Sequence, residues 1–231
     1  MLRKKLSGIL RLLALSGLSL VAADENPALR EATISPLLPP GPGNPRNTEG
    51  AFIGLRDGRI LFAYSHFSGG GNDNDTPTIA GSFSRNGGRT WTSSDFPIVG
   101  REGDMNVMSV SLLRLKDGRI ALFYVRKNSI SDCHPYLRYS SDEAKTWSES
   151  KLCIRDDGYF VLNNDRVIQL RTGRILLPVA LHSTVNGQFG SRGVAMTYFS
   201  NDSGTTWRRS KTTLESPTPS RAGLQEPVWW S

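Results

Sequence analysis

The chain has 231 residues, 38% hydrophobic and 21% charged, with a formal net charge of +7; this balance suits a globular protein long enough for one sizeable core. Four bases (Arg3, Lys4, Lys5, Arg11) lie in the first 23 residues with no acid among them, so the rest of the chain carries only +3 of that +7. With no basic run interleaved with aromatics, nucleic acid is not an expected partner. Cys133, Cys153 and the three histidines show no metal-ligand spacing, and no cofactor is expected.

Residues 1–23 pair a basic start with the apolar run Leu12–Ala22 and small residues before Asp24. That pattern predicts a signal peptide, hence a secreted or periplasmic protein, and the run is too short for a transmembrane segment. In an oxidising compartment Cys133 and Cys153 stand either as a disulfide or as two buried thiols. Residues 24–45 hold PLLPPGPGNP, which suits neither helix nor central strand and reads as a leader.

From residue 46 the chain repeats. AFIGLRDGRILFAYSHF (51–67), SLLRLKDGRIALFYVRK (111–127) and RVIQLRTGRILLPVALH (166–182) each place two apolar segments around Asp-Gly or Thr-Gly. This is a hairpin signal built on a two-residue turn. A third strand-like run follows each hairpin, then a polar loop ending in tryptophan, then a fourth short run. The loops are SRNGGRTW (84–91), SSDEAKTW (140–147) and SNDSGTTW (200–207), stepping by 56 and 60 residues. Four strands per unit at that period predict an all-β fold, a β-propeller with blades at about 46–101, 102–157 and 158–214 and the start of a fourth at 222–231.

The loop pattern Ser-x-Asp-x-Gly-x-Thr-Trp resembles the Asp-box, or BNR repeat, of the sialidase (neuraminidase) superfamily. The copy at 200–207 matches fully, whereas the first has Asn86 for the aspartate and the second Ala144 for the glycine. The resemblance covers about residues 46–230 and implies a six-bladed propeller, of which this chain carries the N-terminal part. Mechanically, the carboxylate accepts backbone N–H bonds, the glycine relieves a strained φ and the tryptophan buries apolar surface. Asn86 keeps the acceptor but no acid, so the box is expected to be structural.

Chemistry is expected where the copies disagree. In HFSGGGNDNDTPTIAGSF, Asp73 stands 18 residues before Trp91, where the other blades have Ser129 and Phe189. By resemblance it is the acid/base residue; Asp75 is the alternative, and a solvated polar loop the bland reading. At a common offset from the turns the innermost strands carry TEGA (48–51), MSVS (108–111) and NNDR (163–166). Asn164, Asp165 and Arg166 either face a substrate in the channel or form a polar network across it. His66, Arg126 and His182 sit at nearly equivalent places and suggest one rim, and Arg126, like Glu49 of TEGA, is a candidate substrate-binding residue. The resemblance further makes Arg46, in PRNTEG, the match to a substrate-clamping arginine, though two residues early and without the family's Ile-Pro. Glu226, in GLQEP, matches the glutamate that activates a nucleophilic tyrosine.

These residues imply an exported exo-glycosidase of exo-alpha-sialidase type. It would act by retaining hydrolysis of a terminal sugar, with Asp73 protonating the leaving oxygen and arginines holding a carboxylate. The expected partner is a carbohydrate, a glycan or sialoside. The tyrosine and two further arginines are expected beyond residue 231, so the chain is read as a fragment, inactive and poorly soluble by itself. Two other readings stand beside this one: a non-catalytic glycan- or protein-binding propeller, and a hydrolase of another sugar using Glu49, Asp73 or Asp165.

Overall fold

The computed structural model describes residues 37–228; the expected signal peptide lies outside them, as do most of the leader and the last three residues. The described residues contain strands and no helix, hence none long and apolar enough to cross a membrane.

Three antiparallel meanders follow one another. The first is β1 (Arg46–Gly54), β2 (Ile60–Phe67), β3 (Pro77–Ser84) and β4 (Phe96–Val99). The second is β5 (Asn106–Arg114), β6 (Ile120–Lys127), β7 (Cys133–Ser140) and β8 (Lys151–Leu152). In the third the inner strand comes in two pieces, β9 (Tyr159–Val161) and β10 (Ile168–Gln169), both paired with β11 (Ile175–Val185), followed by β12 (Gln188–Ser200) and β13 (Arg208–Leu214). A single parallel pair, Cys133 with Tyr159, stitches the second and third repeats into one ladder. The sheets do not close into a ring among the described residues.

The turns correct the expectation of two-residue hairpins. Leu55 N donates to Arg59 O and Gly58 N donates to Leu55 O, leaving three residues between the closing pair. Leu115–Arg119 and Leu170–Arg174 repeat the pattern. This is a turn completed by a left-handed glycine, with φ of 85° at Gly58, 90° at Gly118 and 94° at Gly173.

Apolar residues fill the two spaces between neighbouring repeats. Ile120, Leu122 and Tyr124 of β6 join Leu61, Ala63 and Ile79 of the first repeat. Ala121, Phe123 and Val125 face the other way, onto Phe160, Leu177 and Val179 of the third. Because side chains alternate along a strand, a strand buried on both faces must be apolar throughout, as IALFYV is. Cys133 and Cys153 are buried there as free thiols, and burial pushes Cys133 up to about 12.

The tryptophan loops share one set of hydrogen bonds, and the second and third of them fasten their repeat to the one before. In each, the serine hydroxyl accepts an N–H four residues on: Gly88 at 2.9 Å, Ala144 at 2.9 Å, Gly204 at 2.8 Å. The next acceptor holds the threonine N–H, at 2.9 Å for Asn86, 2.9 Å for Asp142 and 2.8 Å for Asp202. Asn86 thus serves the backbone as aspartate does. Trp207 meets Phe123 edge-on at 6.1 Å, and Tyr139 Oη donates to Ser203 O at 2.7 Å, so the third loop grips the second repeat. Likewise Ala144 and Trp147 pack into the core shared with the first repeat, and Glu143, clasped by Arg114 at 2.7 and 2.8 Å, accepts the first repeat's Arg56 N at 2.8 Å.

Candidate active site

The inner strands share an irregularity that shapes one end of the repeats. Thr48 faces Ser65 but Ala51 faces Ala63, and Met108 faces Val125 but Ser111 faces Phe123, so each strand holds a bulge. Non-glycine residues here are left-handed: Glu49 (φ 52°) and Ser109 (φ 63°) in the bulges, and Asp165 (φ 53°) in the turn that separates β9 from β10. Such a conformation is sparsely populated and persists only where surrounding contacts enforce it. The contacts are between repeats. Ser109 N donates to Ser65 Oγ at 3.1 Å, Asp165 N to Val110 O at 3.0 Å, and Arg166 N to Ser111 Oγ at 3.1 Å. Asn164 Nδ2 closes the set by donating to Gly50 O of the first repeat at 3.2 Å.

Beside these bulges lies a cavity of about 340 Å³, lined by Glu49, Asp73, Ser109, Lys127, Tyr159, Asn163, His182 and Glu226 among others. Asp73 reaches it from the β2–β3 loop. Arg46 Nη1 donates to Asp73 Oδ1 at 2.6 Å and to Gly71 O at 3.0 Å, its guanidinium 4.7 Å from the centre of the Phe67 ring. The loop backbone is held from the second repeat. Asn106 Nδ2 donates to Asp73 O at 2.8 Å and Asp75 O at 2.9 Å, and Lys127 Nζ donates to Asp73 O at 3.0 Å. Asp75 turns inward to accept Asn72 N at 2.6 Å, a bond that shapes the loop. Of the two aspartates, only Asp73 lines the cavity.

Glu49 accepts the Ser109 hydroxyl at 2.7 Å. Burial pushes its carboxyl upward; the Ser109 bond pulls down, Asp73 pushes up, and Arg46 and Lys127 pull down, with a net rise. Tyr159 forms the wall opposite, its phenol pushed upward by burial, its ring 5.0 Å from Phe189 and 6.2 Å from His182. His182 Nδ1 lies 2.9 Å from the Gly190 carbonyl, which can only accept, so that nitrogen carries the hydrogen. Glu226 arrives on a segment pinned where Gly193 N donates to Ala222 O and Leu224 N to Gly193 O, both at 2.9 Å.

The structure therefore brings Asp73, Glu49 and Glu226 to one cavity, with Arg46 bonded to the first of them. Asn164, Asp165 and Arg166 support the bulges while their neighbour Asn163 lines the cavity. Arg126 faces elsewhere: it bonds Glu102 at 2.7 Å and Ser150 Oγ at 3.0 Å and stacks 3.8 Å from the Tyr136 ring centre. His66 sits on the corresponding face, 2.7 Å from Asp95, whereas His182 pairs across from Tyr159 on the cavity side. The three are not on one rim. A shift of one residue along a strand exchanges its faces, so the cavity-facing counterpart of His182 is Lys127. Lys127, Tyr159 and Asn106 escaped the sequence reading; counting alternate positions from the buried apolar residues of β6 would have separated Lys127 from Arg126.

The BNR repeat-like domain family matches residues 58–230 of the chain. Among curated proteins, none matches it in sequence. Among solved structures it is similar to a protein of unknown function from Dyadobacter fermentans DSM 18053 (TM-score 0.61, 19% identity, 74% of this chain and 55% of that one). It is also similar to Hadza microbial sialidase Hz136 (TM-score 0.60, 15% identity, 75% and 39%). A third is Trypanosoma rangeli sialidase in complex with 2,3-difluorosialic acid as a covalent intermediate (TM-score 0.56, 16% identity, 74% and 31%). The chain spans less than two thirds of each of these structures, and at such identities the likeness is one of fold. The family match covers most of the sequence and all three tryptophan loops: the chain belongs to the BNR repeat-like domain family.

Proposed function

We propose that these residues form the amino-terminal part of a sialidase-like exo-glycosidase propeller, exported and acting on a terminal acidic sugar. The observation that carries the reading is the meeting of Asp73, Glu49 and Glu226 in one cavity, with the Asp73 carboxylate on Arg46. Asp73 serves as acid/base at the glycosidic oxygen. Arg46 exchanges Asp73 for the substrate carboxylate, which the planar guanidinium suits. Glu226 acts as base toward a tyrosine nucleophile in this reading, which avoids the repulsion between an anionic nucleophile and that carboxylate. The basic, apolar character of residues 1–23 supports export.

A second reading, a non-catalytic glycan-binding propeller, draws on the wall of Tyr159, His182 and Phe189, since aromatic rings serve a binding pocket without chemistry. A fluorogenic sialoside assay on the full-length protein separates the two. Turnover that falls at least ~100-fold in Asp73→Asn supports the enzyme. Sugar binding without turnover in the wild type supports the binding module, and unchanged turnover in the variant removes Asp73 from the chemistry.

A further inference from the structure

Asp73 and Glu49 share a cavity but have different partners. Asp73 is paired with Arg46, and its loop backbone takes the Lys127 ammonium. Glu49 has neither cation as a hydrogen-bond partner. Among the described residues its side chain has one hydrogen bond, from the Ser109 hydroxyl to Oε2, so Oε1 has no protein hydrogen-bond partner while the residue lines the cavity. Both bonded residues sit in left-handed backbone on facing inner strands, and Ser109 is locked there by Ser65, so the pair is held by the fold.

We propose that Glu49 is the proton-bearing carboxyl of this cavity and that its free oxygen contacts the ligand, donating a hydrogen bond to a carboxylate-bearing sugar. A neutral acid attracts an anionic acceptor where an ionised one would repel it, and a hydrogen bond to a charged group is the stronger kind. The groups facing Glu49 act in both directions: burial and the Asp73 charge favour the neutral form, while Ser109, Arg46 and Lys127 favour the ion. Burial is the largest of these, and with both cations hydrogen-bonded to the Asp73 loop rather than to Glu49 the net direction is a rise. When the ligand draws Arg46 away from Asp73, Glu49 loses that counter-charge too, and the neutral form gains. The ligand class rests on the sialidase-like reading; the proton on Glu49 does not.

The test has two arms. Difference infrared spectra are taken at a pH where ordinary glutamates are ionised. The wild type is expected to show the C=O stretch of a protonated carboxylic acid that Glu49→Gln lacks. Ser109→Ala should carry that band to higher pH, since it removes a donor to the ion. An absent band, or one that survives in Glu49→Gln, overturns the inference. Calorimetry with N-acetylneuraminic acid is then run on both proteins below and above the pH at which the band disappears. Wild-type affinity is expected to fall at least ~10-fold across that step, and Glu49→Gln, neutral throughout, to show no fall. An equal fall in both proteins overturns the ligand contact. A band without any sugar binding sinks the ligand class together with the sialidase-like reading, and leaves the proton on Glu49 standing.

Discussion

The tryptophan loops and the left-handed residues of the inner strands both occur three times, yet they differ in what is repeated. In the loops, backbone and side-chain roles recur together, so that even Asn86 reproduces the acceptor geometry of Asp142 and Asp202. At the inner positions only the left-handed backbone recurs: it carries a carboxyl at Glu49, a hydroxyl at Ser109 and a second carboxyl at Asp165. Shared backbone with shared chemistry marks scaffold. Shared backbone with divergent chemistry marks the place where a repeat fold can build an asymmetric site.

The largest expected effect separates two glycines with the same backbone. Gly204 (φ 91°) packs so closely that an added Cβ would lie 2.5 Å from Leu137 Cδ2 and 2.7 Å from Tyr139 Oη. Gly58 (φ 85°) has nothing within 4 Å of that position. Gly204→Ala is therefore expected to lose about 2–4 kcal/mol, from overpacking added to backbone strain. Gly58→Ala should lose about 1 kcal/mol from strain alone. Urea midpoints measure both, and equal losses would show that the loop does not depend on close approach.

That distinction also marks what the sequence could reveal. Loops, turn positions and the order of strands were legible because each has a local signature with a local cause: a positive φ, an Asx-type bond, a two-faced apolar run. The two-residue turns were misread because Asp-Gly also serves a turn closed by a left-handed glycine, and the closing pair Leu55–Arg59 is not visible in the dipeptide. Asp73 and Glu49 could be named because they break the repeat, and Glu226 through the family resemblance alone. Lys127 could not, because its role depends on which face of β6 turns to the cavity, and Arg126 beside it offered the more familiar chemistry. Asn106 was hidden for another reason: it acts on the backbone of a loop more than thirty residues away.

Asn106 supplies the next test. Its amide is the shared donor to the Asp73 and Asp75 carbonyls, and it is itself buried. Asn106→Ala is expected to cost about 1–2 kcal/mol. It should also speed hydrogen exchange across residues 69–76 and leave the tryptophan loops unchanged. Exchange that rises equally in both regions would mean that loop and scaffold unfold together. A smaller effect on stability is expected for Asp73→Asn, whose side chain is 63% exposed: under about 0.5 kcal/mol in thermal melting, whatever its effect on sugar turnover.

The finest contrast is in the response to pH, where the two regions move in opposite directions. The folded state raises the Glu49 carboxyl, so the unfolded chain releases that proton first as pH rises. Stability contributed by neutral Glu49 is whole below the ordinary glutamate value and declines as pH climbs through the raised folded value. Glu49→Gln should remove that decline without changing stability in acid. Asp202 behaves in reverse. Burial works upward on it but is outweighed by the Thr206 hydroxyl and N–H and the Ser200 hydroxyl, which bring it down to about 2. The unfolded aspartate, near 3.8, takes up its proton first as pH falls, so this contribution is present above 3.8 and lost toward about 2. Because Asp202 is exposed, screening keeps the effect to about 0.5 kcal/mol, and Asp202→Asn should flatten acid unfolding by no more than that. Melting both variants across the two pH windows gives slopes of opposite sign if scaffold and site are built as described; slopes of the same sign would place both carboxyls in one environment.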